Sequence, residues 1–401
     1  MKLLSFGIGM LLIVTLSAQT NKIDTTNQPL NSAQNVLNNT TNNKLTIGGY
    51  GEIHYNQGLN NSTSSNGKLN VHRMVLFMGY KFNDRVDFVT ELEFEHVKEV
   101  YVEQAFMNYR INSAFNLKGG LMLIPMGIQN EYHEPTTFNG VERTSVDGSI
   151  VPSTWREIGV GFSGNLDEIS LKYQVYAVNG FLGYADGGGK LRGQDSFRKG
   201  RQKGAESTMS SPNLSAKVDF YGIKGLKLGL AGYFGNTQST LFDGLANNNA
   251  IGAEQADSSV VGMAMVGFDL RYQYKALEAR AQVISTTVSN TEEYNTFTGS
   301  DIGSSMLGYY GELGYDVLSI FNKDAKERIV LFGRYEYWDT HTTVTSELTK
   351  NDAYARSAIT AGVTYHVAKG AAFKADYQMF NNEAKGNTPT NQFNLGVGVW
   401  F

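Results

Sequence analysis

The sequence predicts an all-β protein: a transmembrane antiparallel β-barrel of about sixteen strands, with short periplasmic turns and long extracellular loops. Three observations predict this fold. Apolar and polar residues alternate through many segments of about ten residues or more, the length of a membrane-crossing strand. The connections between these segments are alternately short and long. An export signal opens the sequence, and no later apolar run is long enough for a spanning helix.

The N-terminal residues 1–18 are predicted to be a cleaved secretory signal peptide. Lys2 supplies the positive end, and the apolar stretch that follows is too short for a comfortable membrane span. Ala18 is a small residue suited to cleavage before Gln19, and an N-terminal anchor helix is the open alternative. Residues 19–44 are rich in Asn and Thr without an apolar period, so we expect a disordered segment there.

Residues 45–401 are predicted to form the barrel. The composition agrees, because 44 glycines, 22 Tyr, 22 Phe and only 6 prolines suit long uninterrupted strands. The predicted strands are 44–57, 69–83, 84–97, 99–111, 115–126, 155–165, 167–179, 211–220, 224–235, 259–275, 276–290, 304–319, 326–340, 354–368, 370–382 and 391–401. An even number of strands with short turns at one end is typical of outer-membrane barrels.

The final predicted strand, "FNLGVGVWF", places an apolar side chain at every second position. These residues are Phe393, Leu395, Val397, Val399 and Phe401. The strand has to pair with the first one, because an open sheet edge is not tolerated in lipid. The pattern also resembles the C-terminal targeting signal that directs bacterial outer-membrane proteins to the barrel-assembly machinery.

The region 45–165 carries a family resemblance. Its features are the opening "IGGYGEIHYNQ", Pro125 and Gly127 after a strand, the Glu142-Arg143 pair in a long loop, and Pro152, Trp155, Glu157 and Gly159 entering the next strand. These features resemble the family of phosphate-selective porins. The resemblance implies a homotrimeric pore in the outer membrane of a Gram-negative bacterium, in contact with lipid and lipopolysaccharide. Such a pore passes small hydrophilic solutes, sometimes anions such as phosphate.

If the apolar face of each strand meets lipid, the polar face lines the lumen. The predicted pore-lining residues are Arg73, Glu91, Glu93, Glu95, Lys172, Arg271, Arg280, Arg334, Arg356 and Lys374. The negative and positive charges of the inward-facing side chains are nearly equal in number, which argues against a strongly anion-selective lining. One hypothesis is that an acidic stripe on the third strand faces Arg271 and Arg280 across the lumen. The alternative is that neighbours such as Arg334 and Glu336 stabilise each other.

A long loop, "ADGGGKLRGQDSFRKGRQKGAE", is strongly basic. Its cations are Lys190, Arg192, Arg198, Lys199, Arg201 and Lys203. A basic loop at the pore mouth would raise the local concentration of anions. The alternatives are a solvated loop or one that rests on lipopolysaccharide phosphates.

The sequence predicts neither an enzyme nor a bound cofactor. It has no cysteine, no HExxH, no GxSxG and no Walker motif. The nearest acid–base cluster is His133 beside Glu131 and Glu134, which we interpret as a surface polar patch. A net charge of −4 without a basic fold motif argues against a nucleic-acid partner.

Two functions remain open from the sequence. One is a passive porin, and the other is a non-conducting barrel that displays loops for adhesion or surface binding. The loop 127–154 separates them, because in a porin it folds inward and narrows the pore. An adhesin would instead carry larger domains in its outer loops.

Overall fold

The computed structural model describes residues 30–38, 44–59 and 65–401. Sixteen antiparallel strands form one closed barrel, as predicted. The strands are β1 (Leu45–Leu59), β2 (Lys68–Lys81), β3 (Val86–Glu95), β4 (Glu99–Arg110), β5 (Asn116–Leu123), β6 (Arg156–Leu166), β7 (Leu171–Val178), β8 (Asn213–Ile223), β9 (Leu226–Asn236), β10 (Gly262–Tyr274), β11 (Leu277–Ser289), β12 (Ser305–Asp316), β13 (Arg328–Thr343), β14 (Ala355–Ala368), β15 (Ala371–Asn382) and β16 (Thr390–Trp400).

The barrel closes through β1 and β16. These strands pair antiparallel with Tyr50 opposite Trp400. Beyond the last paired residue, the Gly49 N–H donates to the carbonyl of Phe401 and the Phe401 N–H donates to the carbonyl of Gly49, both at 2.9 Å. The sheet therefore has no open edge, which is the condition for a strand-built structure in lipid.

One end of the barrel carries short turns and the other carries long loops. Two-residue turns at Lys275-Ala276 and Lys369-Gly370 join β10 to β11 and β14 to β15. The loops at the opposite end hold a small three-stranded sheet of Leu182–Ala185, Gly188–Gly189 and Gln238–Ser239. The helices of the described residues are α1 (Ser32–Asn38), α2 (Val146–Ser149), α3 (Ala250–Ser258), α4 (Thr291–Thr298) and α5 (Leu318–Phe321), with 3₁₀ turns at Asp167–Ile169, Arg198–Gly200, Thr240–Phe242 and Asp352–Tyr354.

The two faces of the wall differ as a period-two pattern requires. Outward side chains are apolar and exposed, for example Val160 at 64% and Leu313 at 63%. The inward side chains of Glu91, Lys217 and Asp219 are polar and at most 1% exposed. The five alternating residues of the C-terminal segment, Phe393, Leu395, Val397, Val399 and Phe401, are all exposed on the outer face.

Part of the segment expected to be disordered is helical. In α1, the Asn31 side chain accepts from the Gln34 N–H at 3.1 Å, and the Gln34 side chain accepts from the Asn31 N–H at 3.2 Å. This reciprocal pair is a capping box. The inward-facing Lys172 also donates to Gln34 Oε1 at 3.1 Å, so α1 lies against the inner wall. The predicted signal peptide and residues 19–29 and 39–43 lie outside the described residues.

Within the described residues, every helix is too short or too polar to cross a membrane.

Candidate functional site

The long connection from β5 to β6, residues 124–155, folds into the barrel. We call it the inward loop. Its backbone is bonded to wall side chains around the lumen: the N–H groups of Ile128, Val141 and Ser145 donate to Gln282, Asp376 and Glu336, each at 2.6 Å. On the wall, Lys374 donates in return to the carbonyl of Phe138 at 2.9 Å. The inward loop has the position expected of a porin constriction.

Two cavities lie on either side of the inward loop. The outer cavity, of about 530 Å³, is at the long-loop end, and Glu142 and Thr144 of the inward loop line it. The inner cavity, of about 760 Å³, is at the short-turn end, and Tyr132 and Thr137 line it. The inward loop therefore forms part of the wall of both cavities.

Part of the outer cavity wall is a paired network of charges. Arg73 Nε lies 2.6 Å from Glu52 Oε1, and Arg73 Nη1 lies 3.0 Å from Glu93 Oε1. His54 lies between Glu52 and Glu142, with one ring nitrogen 3.2 Å from each carboxylate. Buried charges need such partners, since an unpaired charge away from water is costly.

A second group in the outer cavity consists of cations held by neutral groups. We call Arg198, Arg201 and Lys203 the outer cationic group. Arg198 and Arg201 both donate to the carbonyl of Ser153, at 3.0 and 2.6 Å. Lys203 Nζ lies 4.3 Å from the centre of the Tyr101 ring. Across the part of the chain that the structure describes, no carboxylate oxygen lies within 4.0 Å of these three cations.

The outer cationic group concentrates positive charge at the cavity wall. Burial, with Arg201 and Arg156 nearby, lowers the pKa of the Lys203 ammonium. Arg356 extends the same wall and donates to the carbonyl of Gln194 at 2.9 Å. An anion entering this cavity would meet the guanidinium groups of Arg198, Arg201 and Arg356, which are hydrogen-bonded to carbonyl oxygens.

The structure divides the six cations of the predicted basic loop into two sets. The outer cationic group lines the cavity, whereas the other three do not. Lys190 pairs with Asp186 at 2.9 Å and Arg192 pairs with Asp195 at 2.5 Å. Lys199 is exposed. No sequence pattern distinguishes these two sets, because the loop has no period that would assign its side chains to a face.

The predicted pore-lining residues occupy different places inside the barrel. Arg73, Glu93, Glu95 and Arg356 line the outer cavity, and Arg271 and Arg280 line the inner one. Glu91, Lys172, Arg334 and Lys374 are buried between the wall and the elements packed against it.

Most of these charges are neutralised by near neighbours. Arg334 Nε lies 2.8 Å from Glu336 Oε1, in agreement with the hypothesis that these two neighbours stabilise each other. Arg271 lies 3.5 Å from Asp219, and Arg280 lies 3.9 Å from Glu312. Glu93 of the acidic stripe is paired with Arg73 on the adjacent strand. The charges therefore do not form two bare stripes that face each other across the lumen.

His133 is not part of a surface patch, and that interpretation is wrong. Its side chain is buried in the inward loop, where Nε2 lies 3.6 Å from Glu91 Oε1 and 3.5 Å from Glu103 Oε2. Neither glutamate is near His133 in the sequence, so local spacing could not reveal the cluster. Glu131 does not join His133 in this cluster, because its carboxylate accepts from Lys217 at 2.8 Å.

Comparisons with known proteins agree with the fold. No family model matches the sequence. An uncharacterized protein of Aquifex aeolicus (strain VF5) is 31% identical over 350 residues, which is 83% of this chain and 75% of that protein.

Solved structures with a similar fold include several outer-membrane proteins. The anion-selective porin from Comamonas acidovorans has a TM-score of 0.54 at 12% identity, covering 89% of this chain and 99% of that chain. Salmonella typhi OmpF in complex with daunomycin has a TM-score of 0.53 at 12% identity, covering 90% and 98%. The trimer form of OmpT, an outer membrane protein of Vibrio cholerae, has a TM-score of 0.50 at 11% identity, covering 90% and 100%. At such identities the similarity establishes the porin-type barrel fold and nothing finer.

Proposed function

We propose that this chain, which belongs to the same family as the Aquifex aeolicus protein, is an outer-membrane porin that prefers anions. It is a passive diffusion channel for small hydrophilic solutes. The closed barrel with its apolar outer face and the inward loop support a channel of this kind. The outer cationic group carries the proposed anion preference, because it is held by carbonyl groups and a Tyr ring and no carboxylate oxygen lies within 4.0 Å of its cations in the described residues.

Phosphate is the anion that we favour. A guanidinium group offers several N–H donors in a planar fork that matches the oxygens of a phosphate. Arg198 and Arg201 use some of their donors on the Ser153 carbonyl and line the cavity. The sequence resemblance to phosphate-selective porins points to the same class of solute.

The remaining assignments follow from the resemblance and the fold. We infer a location in the outer membrane of a Gram-negative bacterium after cleavage of the signal peptide. We also infer assembly as a homotrimer in contact with lipid and lipopolysaccharide, which the trimer form of the similar OmpT structure supports.

Reversal potentials in planar bilayers test the anion preference. In the R198Q/R201Q/K203Q variant, the preference for anions over cations should fall at 0.1 M salt, where the Debye length is about 10 Å. The difference from the unmodified protein should vanish near 1 M salt, where that length is about 3 Å. Phosphate can be compared with chloride in the same membranes.

The same loop provides the matched control. K190Q/K199Q removes two charges at residues that do not line the outer cavity, and it keeps Arg192 because the partner of Arg192, Asp195, does line it. We expect the control to keep the original reversal potential. Equal changes in both variants would mean that the loop acts only through its total charge. A protein that inserts without any conductance would favour the alternative, a non-conducting surface-binding barrel, in which the wall contacts of the inward loop seal the lumen.

A further inference from the structure

Three buried side chains from separate elements converge below the outer cavity. His133 belongs to the inward loop, Glu91 to β3 and Glu103 to β4. Each residue is at most 1% exposed. Their nearest atoms, His133 Nε2, Glu91 Oε1 and Glu103 Oε2, lie within 4.8 Å of one another.

Neighbouring groups hold each of the three side chains in place. His133 Nδ1 lies 3.2 Å from the carbonyl of Asn130, which assigns a proton to Nδ1 and turns Nε2 towards the two glutamates. The Gln104 side chain donates to Glu91 Oε2 at 2.7 Å, and Arg156 donates to Glu103 Oε1 at 3.2 Å. These contacts direct the remaining ligand atoms towards a common point.

Two of these ligand atoms are buried without a hydrogen bond. Neither His133 Nε2 nor Glu103 Oε2 has a hydrogen-bond partner within the described residues. The third, Glu91 Oε1, accepts a bond from the Tyr50 hydroxyl at 3.2 Å. Buried polar atoms normally have a partner, so this arrangement calls for an additional occupant.

The distances from His133 Nε2 to the two carboxylate oxygens match those between neighbouring ligands of a metal ion. His133 Nε2 lies 3.5 and 3.6 Å from the two carboxylate oxygens, which is too long for a good hydrogen bond. With metal–ligand bonds of about 2.0–2.2 Å at a tetrahedral angle, two ligand atoms are about 3.3–3.6 Å apart.

His54 provides an internal contrast. It also lies between two glutamates, but it presents a different ring nitrogen to each, Nε2 to Glu52 and Nδ1 to Glu142, both at 3.2 Å. That arrangement suits an imidazolium between two carboxylates. His133 instead turns one nitrogen towards two carboxylates, and a single proton cannot satisfy both at these distances.

We propose that His133, Glu91 and Glu103 bind a divalent transition-metal ion such as Zn²⁺. One imidazole and two carboxylates form a ligand set that such ions accept, with water completing the coordination. The ion would offset the two glutamate charges at this buried position, where Arg156 offsets only one. It would also fasten the inward loop to β3 and β4.

Metal content of the purified full-length protein tests the proposal. After EDTA treatment in detergent, the protein is titrated with Zn²⁺, and the bound metal is measured by mass spectrometry. We expect one Zn²⁺ per chain. H133Q and E103Q should each weaken binding by at least about tenfold, which is the lower end of the effect of losing even an outer-shell partner. Two variants are used so that a folding failure in one does not end the test.

H54Q is the matched control, because it removes a buried histidine that also lies between two glutamates. It should bind Zn²⁺ as the unmodified protein does, provided that its heat-dependent gel mobility shows a folded barrel. The proposal is overturned if the unmodified protein binds no Zn²⁺, in which case a proton occupies the cluster. It is also overturned if H133Q and E103Q bind as tightly as the unmodified protein. Neither result depends on whether the barrel conducts.

Discussion

Two groups of lumen cations differ in what surrounds them. We call Lys217, Glu131 and Asp269 the inner network: Lys217 Nζ lies 2.8 Å from Glu131 Oε2 and 3.1 Å from Asp269 Oδ2, and the Lys217 side chain is fully buried. In the outer cationic group, Arg198 and Arg201 are held by the carbonyl of Ser153. A cation paired with carboxylates contributes to holding the barrel together, whereas a cation bonded to a neutral acceptor such as a carbonyl keeps its electrostatic field available to passing solutes. Counting charges along the sequence cannot separate these roles, but their partners do.

The largest expected effect is on stability in the inner network. Lys217→Met should lower the free energy of unfolding by about 3–5 kcal/mol, because the buried carboxylates of Glu131 and Asp269 lose their shared cation. Urea unfolding in detergent micelles, followed by gel mobility, measures the change. Arg201→Met serves as the comparison. If both variants lose the same free energy, the distinction between the two groups fails.

The same comparison can be made for a buried carboxylate that is held by neutral groups. Asp147 in α2 is buried, and its carboxylate accepts from Thr144 at 2.5 Å and Gln282 at 3.0 Å. Burial raises the pKa of Asp147 to about 6, although these hydrogen bonds oppose the shift. Because the pKa of Asp147 is higher in the folded protein than the value near 4 of the unfolded chain, protonation of Asp147 stabilises the folded state. This stabilisation is fully present below about pH 4 and is lost as the pH rises through about 6.

Asp147→Asn should therefore be more stable than the unmodified protein above about pH 6. The shift of about two pKa units corresponds to at most about 3 kcal/mol. Below about pH 4 the advantage should disappear, since the aspartic acid is then also neutral. Unfolding of both proteins at pH 4 and pH 8 measures the difference. A constant gap at both pH values would show that the substitution acts through packing instead of charge.

The smallest effect on stability is expected in the outer cationic group. R198Q/R201Q/K203Q should change the free energy of unfolding by less than about 1.5 kcal/mol, since substitutions away from buried pairs are usually within about 0.5 kcal/mol each. The ion preference of the pore should nevertheless change, as proposed above. Urea unfolding measured beside Lys217→Met decides the point. A loss comparable to that of Lys217→Met would assign these cations a structural role.

Much of the barrel could be predicted from the sequence because a strand has a rigid period of two. All sixteen predicted segments became strands of the barrel, and the apolar positions of "FNLGVGVWF" lie on the outer face. The helix α1 was missed, although Asn31 and Gln34 have the spacing of a capping box. A capping-box spacing alone does not predict a helix in a segment that has no apolar period.

The contacts of the loops could not be predicted for a different reason. His133 reaches Glu91 and Glu103 only because the inward loop enters the lumen, and no local pattern encodes that path. The same holds for Arg201 and Lys190, which lie in one basic stretch but meet Ser153 and Asp186 respectively. Such contacts depend on the closed barrel being present first.

The pairing of Tyr50 with Trp400 has a consequence for how the protein is made. The two strands of this seam are nearly the whole polypeptide apart, and contacts of such high sequence separation form slowly. Until both strands are available, the growing sheet exposes two unpaired edges that can recruit other chains and aggregate. We therefore expect ring closure to come late in folding, with both edges exposed until the first and last strands meet.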